Sequence, residues 1–150
     1  MQSIQYTPIG IIHTPIKDSK DAPRQSRLGR DIAGTIEIDK QFEQGLTDLE
    51  TFSHIVLVFH LHLSKDFSLM SKPPVDDEYH GVFATRSPRR PNPIGISVVR
   101  LERVEGNVLY VRDVDMVDGT PVLDIKPYVP EVNTGDPVRY GWLDGKVDNG

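Results

Sequence analysis

The sequence SHIVLVFHLHL, from Ser53 to Leu63, alternates in a way that is typical of an extended chain. Successive side chains of a strand point to opposite faces, so one face carries Ile55, Leu57 and Phe59. The other face alternates histidine with valine over His54, Val56, Val58, His60 and His62. Because both faces include apolar side chains, we predict that this segment is a central strand of a sheet.

Further strands are predicted on both sides of this segment. They cover Tyr6–Thr14, Ala33–Ile38, Gly95–Val104, Val108–Val114 and Val122–Ile125. Gly106 and Asn107 favour a hairpin turn between the third and fourth of these, because both residues tolerate positive φ. Short strands joined by Gly and Pro turns, without alternating helices, indicate an all-β, mainly antiparallel sandwich or barrel.

The remaining segments are predicted from their lack of strand alternation. Lys40–Leu49 is the best candidate for one short helix, although Gly45 weakens it. Lys17–Asp31 is polar and without a period, which favours a long functional loop. Ser64–Tyr79 is expected to be a long mobile connection, and residues 143–150 a frayed tail.

The composition fits one globular domain covering residues 1–150. The chain has 150 residues, 37% hydrophobic, no cysteine and a formal net charge of −5. The missing thiols fit a reducing cytoplasm, and no segment resembles a membrane span or a signal peptide. The net charge argues against indiscriminate nucleic-acid binding. Two basic clusters still allow one folded RNA to bind: Lys17, Lys20, Arg24, Arg27 and Arg30 form the first, and Arg86, Arg89 and Arg90 the second.

The segment ATRSPRRPNPIG, from Ala84 to Gly95, contains three arginines and three prolines. Proline fixes φ and stiffens the backbone in advance, while it removes competing N–H donors. Guanidinium groups on such a frame grip carboxylate or phosphate in bidentate fashion. The alternative is a solvated basic loop that proline rigidifies for stability. We call this segment the arginine-proline loop.

Four ordered blocks resemble the signatures of the TrmO family, also known as TsaA-like or YaeB-like proteins. They are GVFATRSP with RPNPIG between Gly81 and Gly95, DMVDGTPVLDIKPYVP between Asp115 and Pro130, Phe52-Ser53-His54, and Pro23-Arg24-Gln25. The resemblance extends over roughly Tyr6 to Pro130, which is the expected core of the domain.

The resemblance implies an S-adenosylmethionine-dependent methyltransferase built on a single-domain β-barrel. It implies a tRNA substrate, with transfer to N6 of a threonylcarbamoyl-adenosine beside the anticodon, and a cytoplasmic homodimer in which a neighbour completes the site. Cofactor contacts are expected from Arg24, Gln25, Phe59, His60, Arg86, Ser87, Pro93, Ile94, Asp118, Thr120 and Lys126. Longer members of the family carry a further small C-terminal domain that this sequence does not match.

A catalytic base is not singled out by the sequence. Asp118, Asp124 and Tyr128 are the candidates, with His60 as a further polar group near the cofactor. An acylated exocyclic nitrogen has a more acidic N–H than plain adenine, so a weak base would suffice and positioning contributes more.

Two other functions remain open. One is a regulatory module that binds S-adenosylmethionine without catalysis. The other is a metal-dependent barrel enzyme that uses His60 and His62, with His54 and Asp66 nearby. No GxGxxG sequence is present, which excludes the Rossmann route to the cofactor. Tyr140 and Trp142 favour either a stacking surface or the packing of a terminal segment onto the core.

Overall fold

The computed structural model describes residues 1–18, 31–130 and 137–146. Within these ranges the chain forms eight strands: β1 (Gly10–His13), β2 (Ala33–Ile38), β3 (His54–His60), β4 (Met70–Ser71), β5 (His80–Gly81), β6 (Ile94–Glu105), β7 (Val108–Arg112) and β8 (Pro121–Pro127). Short 3-10 helices cover Lys40–Leu46, Leu49–Thr51, Val82–Ala84 and Gly141–Leu143.

Six strands close into a barrel in the order β1-β2-β7-β6-β3-β8. Every neighbouring pair is antiparallel, including the long pairing of β3 with β6 from His54–Arg100 to His60–Ile94. Closure gives each of these six strands a hydrogen-bonded neighbour on both sides, whereas an open sheet would leave two edge strands with unpaired backbone groups. The predicted antiparallel β-barrel is therefore confirmed.

The barrel interior is filled by the inward side chains of these strands. Ile55, Leu57 and Phe59 of β3 are buried, whereas the intervening histidines and valines are only partly covered. Ile12, Ile36, Val99 and Leu109 are among the residues that pack with them in one cluster. β3 is thus the central strand that its alternation predicts, with β6 and β8 as its neighbours.

Several boundaries differ from the sequence predictions. β3 ends at His60, so the prediction of a strand continuing through His62 to Leu63 is wrong. β1 is shorter than the predicted Tyr6–Thr14: its ladder with β2 and β8 covers Gly10–His13, and the N–H of Ile9 adds one further hydrogen bond to Val122. The predicted helix at Lys40–Leu49 is two 3-10 turns, with only Leu46 buried. Phe42 remains 39% exposed, so this segment lacks the apolar face that stabilises an α-helix.

The segment predicted to be a mobile connection contains structure. β4 and β5 form a separate two-stranded sheet, pairing Met70 with Gly81 and Ser71 with His80. Strands of two residues are too short to show an alternation of apolar and polar side chains, so the sequence pattern could not predict them. The predicted tail also departs from expectation, because Lys146 forms an ion pair with Asp76 at 2.7 Å.

Antiparallel pairing determines which loops meet at each end of the barrel. β3 ends at His60, β6 begins at Ile94 and β8 begins at Pro121, so these positions share one end. We call it the loop end, because the arginine-proline loop and residues 113–120 enter there. In the part of the chain that the structure describes, no helix is long and apolar enough to cross a membrane.

Candidate functional site

The loop end is held together by close backbone contacts around β3. His60 lies opposite Ile94 in the β3–β6 ladder, and the N–H of Leu61 donates to the carbonyl of Pro93 at 2.7 Å. Phe59 lies opposite both Gly95 and, across β8, Val122. Phe59, His60, Pro93 and Ile94, four of the residues predicted to contact a cofactor, are therefore neighbours in the structure.

The arginine-proline loop is braced by one of its own arginines. Nη1 of Arg90 donates to the carbonyls of Thr85 and Ser87, both at 3.0 Å. The hydroxyl of Thr85 in turn donates to the carbonyl of Val82 at 2.9 Å. Arg90 is thus occupied with the loop itself, whereas Arg86 is exposed.

Arg89 and Ser87 also make contacts within or beside the loop. Nε of Arg89 pairs with Asp66 at 3.0 Å in an exposed ion pair, and its backbone N–H donates to the hydroxyl of Ser87 at 3.3 Å. An exposed pair of this kind adds little stability and is easily exchanged for another anion. Arg89 therefore remains accessible to a ligand.

Asp115 is a carboxylate of the second signature block that is bonded to β6 close to the end of the arginine-proline loop. The hydroxyl of Ser97 donates to it at 2.7 Å, and burial raises the pKa of Asp115 above its ordinary value. The Ser97 hydrogen bond and the nearby charge of Arg86 act in the opposite direction on that pKa. Sequence reasoning left Asp115 out of the site, although its position at the start of the second signature block was a usable signal.

Asp118 is engaged in a different set of contacts. It accepts a hydrogen bond from Nζ of Lys17 at 2.8 Å and from the backbone N–H of Thr14 at 3.0 Å. These bonds, Lys17 first, hold the pKa of Asp118 below its usual range. The neighbouring Gly119 has φ of 84°, which an L side chain rarely adopts. Thr120 is buried, and its hydroxyl donates to the carbonyl of Val117 at 2.6 Å.

The other predicted residues of the second block lie farther along β8. Asp124 pairs with Lys126 at 2.9 Å, and the two lie opposite Val58 and Val56. The backbone N–H of Tyr128 donates to the carbonyl of His54, at the start of β3 and so at the other end of the barrel from His60. Only the first half of the Asp115–Tyr128 block therefore reaches the loop end.

A terminal clamp fastens the end of the described chain to the arginine-proline loop. The indole of Trp142 stacks on His80, with ring centroids 4.2 Å apart and planes at 14°. Its Nε1 donates to the carbonyl of Ala84 at 2.8 Å. Asp76 accepts from both His80 and Lys146, at 2.5 Å and 2.7 Å. We call Asp76, His80, Trp142 and Lys146 the terminal clamp; Trp142 thus packs a terminal segment, one of its two predicted roles.

A protein-family model matches the sequence that forms this antiparallel barrel and its two signature loops. The model describes the tRNA-methyltransferase O N-terminal domain and matches residues 11–134. The chain belongs to the TrmO family.

Relatives of this TrmO-family chain differ in length. A probable S-adenosyl-L-methionine-binding protein of Pyrococcus abyssi is 56% identical over 96% of the chain and 78% of its own length. A human tRNA (adenine(37)-N6)-methyltransferase is 36% identical over 95% of the chain, but only 34% of its own length. The chain thus corresponds to about a third of the human protein.

A solved structure agrees with the family assignment. A crystal structure of TrmO from Pseudomonas aeruginosa has a TM-score of 0.80 and 39% identity, covering 98% of this chain and 66% of that one. The two proteins are therefore similar in sequence as well as in fold. It leaves a third of the crystallised chain without a counterpart.

Two of the predicted cofactor contacts, Arg24 and Gln25, lie outside the residues that the structure describes. The predicted HxH pair does not share a strand face, because His62 follows the end of β3 in a turn. Among the described residues, no group of three His, Asp or Glu side chains is arranged to hold a metal ion.

An open depression of about 610 Å³ lies beside the loop end, over β1, β2 and β7. Its lining includes His13, Lys17, Tyr110 and Asp118. Of the predicted site residues that the structure describes, only Asp118 is in that lining. We therefore locate the candidate site from the convergence of the two signature loops rather than from this depression.

Proposed function

We propose that the protein is an S-adenosylmethionine-dependent methyltransferase that modifies N6 of adenosine 37 in tRNA, the position named for its human and mouse relatives. The observation that carries the proposal is the hydrogen bond from Ser97 to Asp115 at 2.7 Å, because it ties the start of the second signature block to β6 two residues after the arginine-proline loop. The tRNA substrate would place this reaction in the cytoplasm.

The chemistry of the loop end fits the cofactor. Arg86 is an exposed cation suited to the cofactor's carboxylate, and Asp115 and Asp118 are acceptors for its ammonium and hydroxyl groups. Pro93 and Ile94 offer apolar surface for an adenine ring. When bound, S-adenosylmethionine supplies an electrophilic methyl group. The proposed cofactor contacts are completed by Arg24, Gln25, Phe59, His60, Ser87 and Thr120, and by Lys126 if a second subunit brings β8 close.

The electrostatics of Asp118 favour binding over proton removal. A carboxylate whose pKa is lowered by Lys17 and Thr14 is a weak base and a stable anion at neutral pH. Asp124, paired with Lys126, and Tyr128, at the other end of the barrel, remain the other candidate bases. Since the proposed substrate is threonylcarbamoyl-adenosine, with an acidified N6–H, orientation of the nucleotide contributes more than a strong base.

We also propose that the enzyme acts as a homodimer through an apolar outer face of β3 and β6. Ile94, Ile96 and Val98 of β6 are 45%, 53% and 40% exposed, and they lie opposite His60, Val58 and Val56. The stripe begins at the loop end, so a second copy seated on it would lie next to the cofactor site. Apolar stripes of this kind mark association surfaces.

Light scattering with size-exclusion chromatography tests this arrangement. Wild type is expected at twice the chain mass and Ile96→Asp at the chain mass, whereas Ile11→Asp, on the outer face of β1, stays dimeric. A wild-type monomer at high concentration would exclude the homodimer.

Calorimetry followed by transfer assays tests the activity. Wild-type protein is expected to bind S-adenosylmethionine saturably, and Arg86→Ala to lose at least about tenfold in affinity, the usual size of a charge-assisted contact. Incubation with methyl-tritiated cofactor and tRNA from a strain without its own enzyme should label adenosine 37. Binding without transfer to any tRNA would establish the regulatory module instead.

A comparison of two substrates tests the threonylcarbamoyl detail. A tRNA bearing threonylcarbamoyl-adenosine should accept methyl groups, whereas the same tRNA with plain adenosine should not. Equal labelling of both would restrict the proposal to adenosine N6.

A further inference from the structure

Phe83 is a large aromatic side chain that the fold leaves in solvent. It lies in the 3-10 turn Val82–Ala84, three residues before Arg86, and 77% of its surface is exposed. Among the described aromatic residues it is the most exposed. It takes no part in the barrel core, so packing among the residues that the structure describes does not account for it.

The turn that carries Phe83 is rigidly fixed on both sides. Val82 is buried, and its N–H donates to the carbonyl of Leu69 at 2.9 Å. The N–H of Thr85 donates to the carbonyl of Val82 at 3.1 Å, and Trp142 donates to Ala84. Because the backbone is already ordered, little conformational entropy is lost when the ring binds a partner.

The chain segments that lead to and from the Phe83 turn carry further exposed aromatic and cationic side chains. Tyr79 and Phe67 are 66% and 55% exposed on the segment that joins β3 to the arginine-proline loop. Arg86 and Arg89 are exposed on the loop itself. The carboxylates of Asp66 and Asp76 are matched by Arg89 and by Lys146 of the terminal clamp.

Aromatic rings beside guanidinium groups form a surface suited to unpaired nucleotides, since bases stack on rings while cations contact phosphates. An enzyme that modifies a base in a loop must also displace neighbouring bases from their stack. We propose that Phe83 is a base-stacking residue that receives an unpaired nucleotide next to the target adenosine. This inference rests on the proposed function and adds where the RNA lies.

The experiment uses the full chain and a synthetic anticodon stem-loop RNA that carries threonylcarbamoyl-adenosine at position 37 and 2-aminopurine beside it. Wild type, Phe83→Ala, Phe83→Leu and Phe83→Tyr are compared by RNA titration, by 2-aminopurine fluorescence and by calorimetry with S-adenosylmethionine. Phe42→Ala is the matched control, because Phe42 is a partly exposed phenylalanine that follows β2 at the other end of the barrel.

The stacking role predicts a pattern specific to aromaticity. Phe83→Ala and Phe83→Leu should weaken RNA binding and raise KM for the RNA by roughly 5- to 100-fold, the usual effect of one lost base stack. They should also abolish the 2-aminopurine quenching. Phe83→Tyr and Phe42→Ala should behave as wild type, and cofactor affinity and melting temperature should stay unchanged in all variants.

Three results would overturn the inference. Wild-type RNA affinity in Phe83→Ala would remove the stacking role while leaving the methyltransferase proposal intact. Conversion of Phe83→Ala to a monomer would show that a second copy of the chain covers the ring. Failure of wild type to bind or methylate any RNA, with cofactor binding preserved, would remove both this inference and the proposed enzyme activity.

Discussion

The indole Nε1 of Trp142 donates a hydrogen bond to the carbonyl oxygen of Ala84 at 2.8 Å, across 58 residues of sequence. Ala84 ends the turn that leads into the arginine-proline loop, so this bond connects the terminal clamp to the start of the candidate site. The stack of Trp142 on His80 fixes the direction in which the indole N–H points. The end of the described chain therefore positions the loop that carries Arg86.

Trp142→Phe separates the hydrogen bond from the ring stack. Phenylalanine keeps an aromatic ring on His80 but has no N–H for Ala84, so the expected loss of unfolding free energy is about 1 kcal/mol or less. Cofactor affinity should fall roughly 2- to 10-fold, since Arg86 then samples more positions. Calorimetry measures the affinity and thermal denaturation the stability. Unchanged affinity together with lowered stability would make Trp142 a purely structural residue.

The terminal clamp should respond to acid through Asp76. Its hydrogen bonds from Lys146 and His80 lower the pKa of Asp76 well below the ordinary value of 3.8. A lowered folded-state pKa contributes stability above the unfolded-state value and loses it as the pH falls below that value. Wild type should therefore melt higher than Asp76→Asn at pH 5, and the difference should shrink from about pH 4 downward. A difference that stays constant to pH 3 would contradict the linkage.

Much of the barrel follows from alternation that a sequence displays directly. β3 and β7 have inward apolar side chains at every second position, so these strands can be predicted from the sequence. Strands that form only through contacts between residues distant in the sequence cannot be predicted from a local pattern. β4 and β5 exist because Met70 meets Gly81, and neither strand has a pattern of its own.

Gly95 is a position where close packing at the site can be measured. An added Cβ would lie 2.4 Å and 2.6 Å from atoms of the Phe59 ring, which is itself buried. Gly95→Ala should lower the free energy of unfolding by about 1–3 kcal/mol, because the ring has little room to move. Gly81→Ala is the control, since its added Cβ meets nothing within 4 Å. Chemical denaturation of both variants checks the difference, and equal stabilities would refute the close contact.

Only part of the candidate site could be predicted from the sequence, because the rest depends on contacts between residues that are distant along the chain. Signature motifs pointed to the arginine-proline loop and to Asp118, which lie within contiguous blocks. The environment of Asp115 depends on Ser97, 18 residues away, and on Arg86 in a different loop. Burial and partner charges of this kind arise only when the barrel closes, so residue type alone did not distinguish Asp115 from Asp124.

Asp115→Asn should stabilise the protein while it impairs cofactor binding. Burial raises the pKa of Asp115, so the folded state binds a proton more tightly than the unfolded state does. Stability is therefore lost as the pH rises from the unfolded-state value of about 3.9 through the raised folded-state value. Asparagine removes that cost and still accepts the hydrogen bond from Ser97, so the variant should melt higher than wild type at pH 7 and equally near pH 3.

The same substitution removes the negative charge that faces Arg86. S-adenosylmethionine affinity should fall about tenfold, equivalent to roughly 1.4 kcal/mol, if the carboxylate orients that guanidinium or contacts the cofactor itself. Ser97→Ala is the complementary variant, because it keeps the charge and removes the hydrogen bond at 2.7 Å. It should lose stability and retain most of the affinity. An Asp115→Asn protein that melts lower than wild type and binds cofactor normally would show that the carboxylate serves the barrel rather than the site.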